Sequence, residues 1–266
     1  MVIAHPANKY VLYRITSRIN QKPRTDGFSK LDYLDNLFRS FSDYKIICIA
    51  DNCDHETIDI LRKKPFYKFL TTSLGNAGSF NYLITKVLFL LDDDDLLYFA
   101  EDDYRYTEIA SKVLAEGVQH FDYVTLYDHP DKYGIYPFNL NPLVPRGELS
   151  ERTQIYKGAL CLWRTTNSTT MSFGCYARTI KNDWYIWNFF SKISAVPRDF
   201  YIWLVLTCPV RNFFPYKPTI GIVLFVANFL SIIKKPRKLG VPVPSASSHM
   251  EQQMLPDNYE SDFCRS

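Results

Sequence analysis

Between residues 96 and 107 the chain reads LLYFAEDDYRYT: five apolar residues, Leu96 to Ala100, run straight into Glu101, Asp102 and Asp103. Carboxylates beside a core strand need counter-charges or hydrogen-bond donors, because burying them bare is costly. The first basic residue to follow is Arg105. A bound divalent cation would satisfy such a trio, since clustered oxygen ligands suit Mg2+ or Mn2+. It would bridge the carboxylates to a diphosphate and neutralise charge on a departing group. The competing reading is a solvated acidic loop. A phosphatase of the haloacid-dehalogenase type is disfavoured, because its nucleophile is an Asp and the first acidic position here is Glu101.

Two further stretches carry chemistry. IADNCDHET (49–57) ends an apolar run on Asp51, whose carboxylate would accept hydrogen bonds from a nucleobase or ribose, while Asp54 reads as a helix cap. SLGNAGSFNY (73–82) sets Gly75 and Gly78 before a helix, where backbone can approach a ligand and the helix N-terminus attracts anions. It matches neither GxGxxG nor GxxxxGK[ST], which disfavours dinucleotide and P-loop readings.

The elements that must place these groups follow from periodicity. KYVLYRI (9–15), YKIICIA (44–50), FYKFLTT (66–72), residues 96–100 and FDYVTLYD (121–128) read as strands. Helices fall between them at 29–41, 54–64, 78–91 and near 107–118. Asp92 to Asp95 follow the third helix and read as an exposed turn, because carboxylates at a helix C-terminus oppose its dipole. Alternating strands and helices predict a mostly parallel sheet with helices on both faces, binding ligands at the carboxyl ends of its strands. Beyond Asp128, residues 142–152 read as a loop over the site, 158–177 as strands, and 177–193 and 197–207 as helices. WRTTNSTT (163–170) reads two ways: a sugar-binding stretch with Asn167 and a stacking Trp163, or ordinary strand.

Composition narrows the class. With 266 residues, 47% hydrophobic and 16% aromatic, the chain can build a large well-packed core. No repeat or low-complexity linker divides it, so a single domain, 1–266, is expected. A net charge of +3 does not point to nucleic acid. Six scattered cysteines without a CxxC pair, and no basic start followed by an apolar run, fit a cytoplasmic protein.

The segments VLYRITSR, IADNCDHET, SLGNAGSF, YFAEDDY, YVTLYDHPDKY and TNSTTMSF come in an order and spacing that resembles family 2-like glycosyltransferases. The resemblance covers roughly residues 10–207 and resumes near 241–256. It implies an α/β fold of GT-A type (Rossmann-like), a mostly parallel central sheet flanked by helices with a smaller C-terminal acceptor-side portion. Residues 10–128 would form the nucleotide-sugar-binding half and 129–256 the acceptor-side half, with an apolar insertion at 209–238. It also implies a nucleotide-sugar donor, Mn2+ or Mg2+, an acceptor hydroxyl on a glycan or a lipid-linked molecule, and transfer with inversion by a single displacement.

Carried over residue by residue, Glu101-Asp102-Asp103 resembles the DxD-type motif, with Asp103 as main metal ligand. Glu101 would face the ribose or a metal-bound water, and Asp102 joins it in the cofactor-binding set. Asp51, Arg14 and Thr16 would line the nucleotide pocket, with Asn76 and Ser79 near the donor. PSASSHMEQQMLP (244–256) resembles the late segment in which a His returns to the metal, which selects His249. Ser248-His249-Met250-Glu251 lacks the Gly of the usual Thr-His-Gly-Glu. Asp199 stands where such families keep an acidic residue before a helix, as general base; a helix cap is the other reading. Asp128 and His129 are reserves on the acceptor side.

TIGIVLFVANFLSII (219–233), followed by KKPRK (234–238), departs from that pattern. It is short for a membrane span. Lys217, Gly221, Asn228, Ser231 and Lys235 fall near one helical stripe, which suits peripheral membrane contact through 219–238; a buried core or dimer helix is the alternative. Two rivals to the transferase remain: a non-catalytic nucleotide- or partner-binding module on the same fold, and a nucleotidyltransferase.

Overall fold

The structure, a computed structural model, describes residues 7–17, 28–129, 132, 153–209 and 217–250. The expected loop at 142–152, Cys264, and Glu251 with the tail segment to 256 lie outside them. The strands are β1 (Lys9–Ile15), β2 (Lys45–Asp51), β3 (Lys68–Thr72), β4 (Leu96–Ala100), β5 (Tyr104–Tyr106), β6 (Tyr123–Val124), β7 (Ile155–Lys157), β8 (Leu162–Thr166), β9 (Phe173–Tyr176), β10 (Leu239–Val243) and β11 (Ser247–His249). The helices are α1 (Lys30–Ser40), α2 (His55–Leu61), α3 (Gly75–Tyr82), α4 (Ala110–Gly117), α5 (Ala177–Asn182), α6 (Trp184–Phe190), α7 (Asp199–Thr207) and α8 (Pro218–Ile233).

Nine of the described strands form one sheet in the order β3-β2-β1-β4-β9-β6-β10-β8-β7. The pairings make β9 and β8 antiparallel to the other described strands of this sheet, so the fold is α/β with a mostly parallel sheet flanked by helices, as expected. Strands from before and after residue 128 interleave, β9 lying between β4 and β6, so the two halves share one sheet. The chain runs from β1 outward to β3, then crosses back to β4 on the other side of β1. That reversal opens a crevice at the carboxyl ends of β1 and β4, where open α/β sheets bind ligands.

Alternation along the central strands divides the core. Val11 and Tyr13 of β1 face the layer containing Leu34, Leu37 and Phe41 of α1 and Val113 and Leu114 of α4. Tyr10 and Leu12 face the other layer, with Phe80, Ile84, Trp187 and Trp203. There the aromatic content is spent: Phe173 stacks on Trp187 at 4.7 Å and on Phe99 at 4.8 Å. α1 starts sharply, because Ser29 and Asp32 form a reciprocal capping box, a feature worth about 1 kcal/mol.

Several expectations are corrected. The strand expected over 121–128 is cut to Tyr123–Val124: Thr125 N–H still donates to Gly240 O of β10, but Leu126 O already accepts from Ala246 and Ser247, beyond the end of that strand. The helix expected over 177–193 is broken at Asp183, whose buried carboxylate accepts from the Tyr123 hydroxyl and pairs with Lys234 and Arg237. Asp92 to Asp94 are exposed as expected, with Asp93 and Asp94 paired to Lys181 and Arg178. Asp95 is instead buried, accepting from Asn8 Nδ2 and Asp92 N. Trp163 is no stacking platform: it is fully buried against Phe121, and its indole N–H donates to Glu116 Oε1 at 2.7 Å.

β9 is squeezed between β4 and α4. A Cβ on Gly174 would stand 2.4 Å from Leu114 Cδ1 and 3.0 Å from Leu97 O. Gly174→Ala is therefore expected to cost about 1–3 kcal/mol in urea denaturation; an unchanged midpoint would contradict this packing.

Candidate active site

A cavity of about 400 Å³ opens at the carboxyl ends of β1, β2 and β4, a size that suits a small-molecule ligand. Arg14, Thr16, Asp51, Asn76, Ser79, Glu101, Asp102, Asp103, Asp199 and His249 all line it. The structure thus brings these ten residues to a single cavity, whereas Asp128, His129, Trp163 and Asn167 are not part of its lining. Thr170, from the stretch read as sugar-binding or strand, lines it too; Asn52, Met171, Val196 and Pro197 also line it and were not singled out.

The acidic trio does not act as a unit. Arg14 is almost wholly buried; its Nη2 pairs with Glu101 Oε1 at 2.9 Å, and its Nη1 donates to Asn76 O and Oδ1 at 2.9 and 2.7 Å. Asp102 Oδ2 accepts from Thr16 N at 2.9 Å and pairs with Lys30 Nζ at 2.5 Å. Two of the three carboxylates therefore have fixed cations supplied by β1 and α1. Burial pushes Glu101 up to about 7, with Arg14 pulling it down and Asp103 pushing it further up. Asp102 is likewise raised by burial, against Lys30. Lys30 escaped the sequence reading, although a lysine in the first turn of a helix opposes the dipole there, which is a signal that its charge is used elsewhere.

Asp103 meets an imidazole instead. After Glu101 the chain turns and forms β5, which pairs antiparallel with β11, His249 opposite Tyr104. Met250 N–H donates to Asp103 O at 2.8 Å, and the His249 and Tyr104 rings stack at 4.7 Å. This ribbon carries His249 Nε2 to 3.0 Å from Asp103 Oδ2 across a separation of 146 residues. Neither β5 nor β11 was anticipated, because three-residue strands carry too little periodicity to be read.

Asp51 serves the chain itself. Its Oδ1 accepts from Thr72 Oγ1 and Leu74 N at 2.8 and 2.7 Å; its Oδ2 accepts from Gly75 N and Asn52 Nδ2 at 2.9 and 2.8 Å. The carboxylate expected at the nucleotide pocket lines the cavity and also holds the turn into α3. It also takes the anion position at that helix N-terminus, which the sequence reserved for a ligand. Gly75 has φ +76, a conformation that favours glycine and explains its place in this turn. Ser79 is buried and donates to Asn76 O at 3.1 Å.

Asp199 opens α7, with Phe200 N–H donating to its Oδ1 at 2.7 Å. Burial raises its carboxyl to about 6, while the Phe200 N–H and nearby His129 pull it back. Its reserve, Asp128, is committed to a buried ion pair with Arg164 of β8. In the TNSTT stretch, Asn167 accepts from Lys132, and Thr170 Oγ1 accepts from the Tyr104 hydroxyl.

The donor set can be tested against a cation. A carboxylate and an imidazole whose nearest atoms are 3.0 Å apart stand at about the separation of two neighbouring ligands roughly 2.1 Å from a common ion. Among the described residues no group of three or more His, Cys, Asp or Glu side chains is gathered as a metal site. By their spacing alone Asp103 and His249 fit as two ligands of one cation; substrate oxygens and water would have to supply the rest, as is common for Mg2+ and Mn2+ at phosphates.

No family model matches the chain, and no curated protein matches it. Among solved structures it is similar to S. aureus TarS 1–349, with a TM-score of 0.43 and 10% identity over 90% of this chain. It spans 59% of that TarS chain. It is also similar to 4-diphosphocytidyl-2C-methyl-D-erythritol synthase from Anaerococcus prevotii, with a TM-score of 0.45 and 14% identity over 97% of this chain and 93% of that one. The apo form of mouse xyloside xylosyltransferase 1 has a TM-score of 0.34 and 8% identity over 70% and 72% of the two chains. The site chemistry therefore rests on this chain's own residues.

The Lys30–Asp102 brace is directly testable. Lys30→Met leaves a buried carboxylate without its cation and should cost about 3–5 kcal/mol near neutrality. Burial raises the Asp102 carboxyl above its ordinary value in the folded chain, so it takes up a proton at a higher pH than an exposed Asp; the deficit should shrink as the pH falls and Asp102 is protonated. A pH-independent deficit in urea denaturation would refute the brace.

Proposed function

We propose that the protein is a metal-dependent glycosyltransferase of GT-A type, moving a sugar from a nucleotide-sugar donor to an acceptor hydroxyl in a single inverting displacement. The observation that carries this reading is the meeting of Asp103 and His249 on the cavity wall that also holds Asp199. Asp103 and His249 would hold Mn2+ or Mg2+, which when bound supplies charge neutralisation for a departing nucleoside diphosphate.

The chain's own residues do the rest. The Asp199 carboxylate takes the proton of the acceptor hydroxyl, whose oxygen forms a bond to the anomeric carbon as the bond from that carbon to the phosphate oxygen breaks. The electron pair of the broken bond leaves with the diphosphate. Arg14 holds Glu101 in place and fixes Asn76 at the start of α3. Asp51 keeps the Gly75 turn rigid, so the backbone beside the donor needs no rearrangement on binding. The acceptor is a glycan or a lipid-linked hydroxyl.

Turnover separates this reading from its rivals. Release of nucleoside diphosphate with transfer of sugar supports it; release of pyrophosphate marks a nucleotidyltransferase, and nucleotide binding without turnover marks a non-catalytic module. Asp103→Ala should abolish Mn2+-enhanced nucleotide binding, measured by thermal shift, with the fold intact. Asp199→Asn should lower the rate by roughly 10²–10⁴ while nucleotide affinity is kept. A base must be deprotonated to act, so the wild-type rate should rise with pH through an ionisation at about 6 that the Asn variant lacks. An identical profile in both would remove Asp199 from the role.

A further inference from the structure

Among the described residues, the helices over one face of the sheet present an exposed apolar surface. α8 turns Leu224 and Ala227 inward, and Leu224 packs with Leu204 of α7. Its opposite face carries Ile222, Phe225, Val226, Phe229, Ile232 and Ile233, all exposed, Ile232 at 80%. Their spacing of three and four residues makes one continuous helical stripe. α8 therefore has two apolar faces and uses one for the core, which excludes a simple buried helix.

The surroundings of the stripe specify its occupant. Pro218–Ile233 contains no charged residue, while exposed Lys217 precedes it and Lys234 and exposed Lys235 follow. Lys234 Nζ lies 5.6 Å from the Tyr185 ring, so α6 adjoins this surface with exposed Tyr185 and Phe189. From α6 the chain continues through exposed Ile193 to exposed Val196, which lines the cavity.

We propose that this surface seats on an anionic lipid bilayer, with α8 lying in the plane of the interface and Lys217 and Lys235 among the headgroups, Lys234 being held by Asp183. A protein partner would call for hydrogen bonds at about one per 100–200 Å², and such interfaces are depleted of Lys. The stripe offers no donor or acceptor side chain. A bilayer asks for none; it rewards apolar area together with cationic ends whose stems reach along it. The sixteen residues of α8 extend about 24 Å, short of a hydrocarbon core of about 30 Å, so the helix lies rather than crosses. Among the described residues no helix is long and apolar enough to cross a membrane.

The test is flotation of the full chain with vesicles of phosphatidylcholine alone and of phosphatidylcholine mixed with phosphatidylglycerol, alongside its mass in solution. The chain should float with the mixed vesicles as a monomer. Phe225→Ser with Phe229→Ser, and separately Lys217→Glu with Lys235→Glu, should each weaken binding at least about tenfold without changing near-ultraviolet circular dichroism. Should the serine variant misfold, Val226→Trp decides alone: its fluorescence should shift to the blue on mixed vesicles and be quenched by brominated lipid. A chain that stays at the bottom of the gradient with both vesicles overturns the proposal. Equal binding to pure phosphatidylcholine overturns its anionic part. A dimer that the serine pair dissociates, with no vesicle binding, gives the face to a second copy.

Discussion

Three consecutive carboxylates at the end of a fully buried strand cannot stand in a low-dielectric crevice without partners, and the site is organised by how each one is answered. Arg14 comes from the neighbouring strand β1, Lys30 from the first turn of α1, and His249 from a strand near the end of the described chain. Each answer ties a different element to the same corner of the sheet. Arg14 also clamps the start of α3 through Asn76, and Lys30 also donates to Thr16 O. The crevice at the β1–β4 reversal is therefore braced on three sides before any ligand enters.

This division separates structure from chemistry within the trio. Glu101 and Asp102 are matched by Arg14 and Lys30, which ties the backbone around them to β1 and α1. Asp103 is matched by an imidazole, a group that donates to a carboxylate or ligates a metal depending on its protonation. Under the proposed function the same residue pair serves both states: a hydrogen bond in the ligand-free chain, and a shared ion when donor phosphates arrive. Asp51 shows the same economy, holding four protein donors and with them the turn that leads into α3.

Much of the fold was legible because it depends on local pattern. Apolar runs gave β1, β2 and β4, helical spacing and the Ser29 cap gave α1, and the alternation of both gave the parallel sheet. The singled-out cavity residues also converge, because strand ends in such a sheet share one edge. What escaped has a common cause in distance along the chain. β5 and β11 exist through pairing with each other, and the break at Asp183 is dictated by Lys234 and Arg237, some fifty residues later. For the same reason the sequence left Trp163 between two readings and did not show that Asp51 holds the turn into α3: their partners, Glu116 and the Gly75 N–H, are distant in the chain. His249 was reached through family resemblance, since nothing local in Ser247–His249 announces a ligand.

The central claim is that Asp103 and His249 are brought together to hold a cation against a diphosphate. An anomalous-difference map from crystals grown with Mn2+ and a nucleoside diphosphate tests it most directly. The account predicts a manganese peak shared by Asp103 and His249 and in contact with the phosphates. A nucleotide bound in the cavity with no manganese there, or with manganese held by other residues, would contradict it.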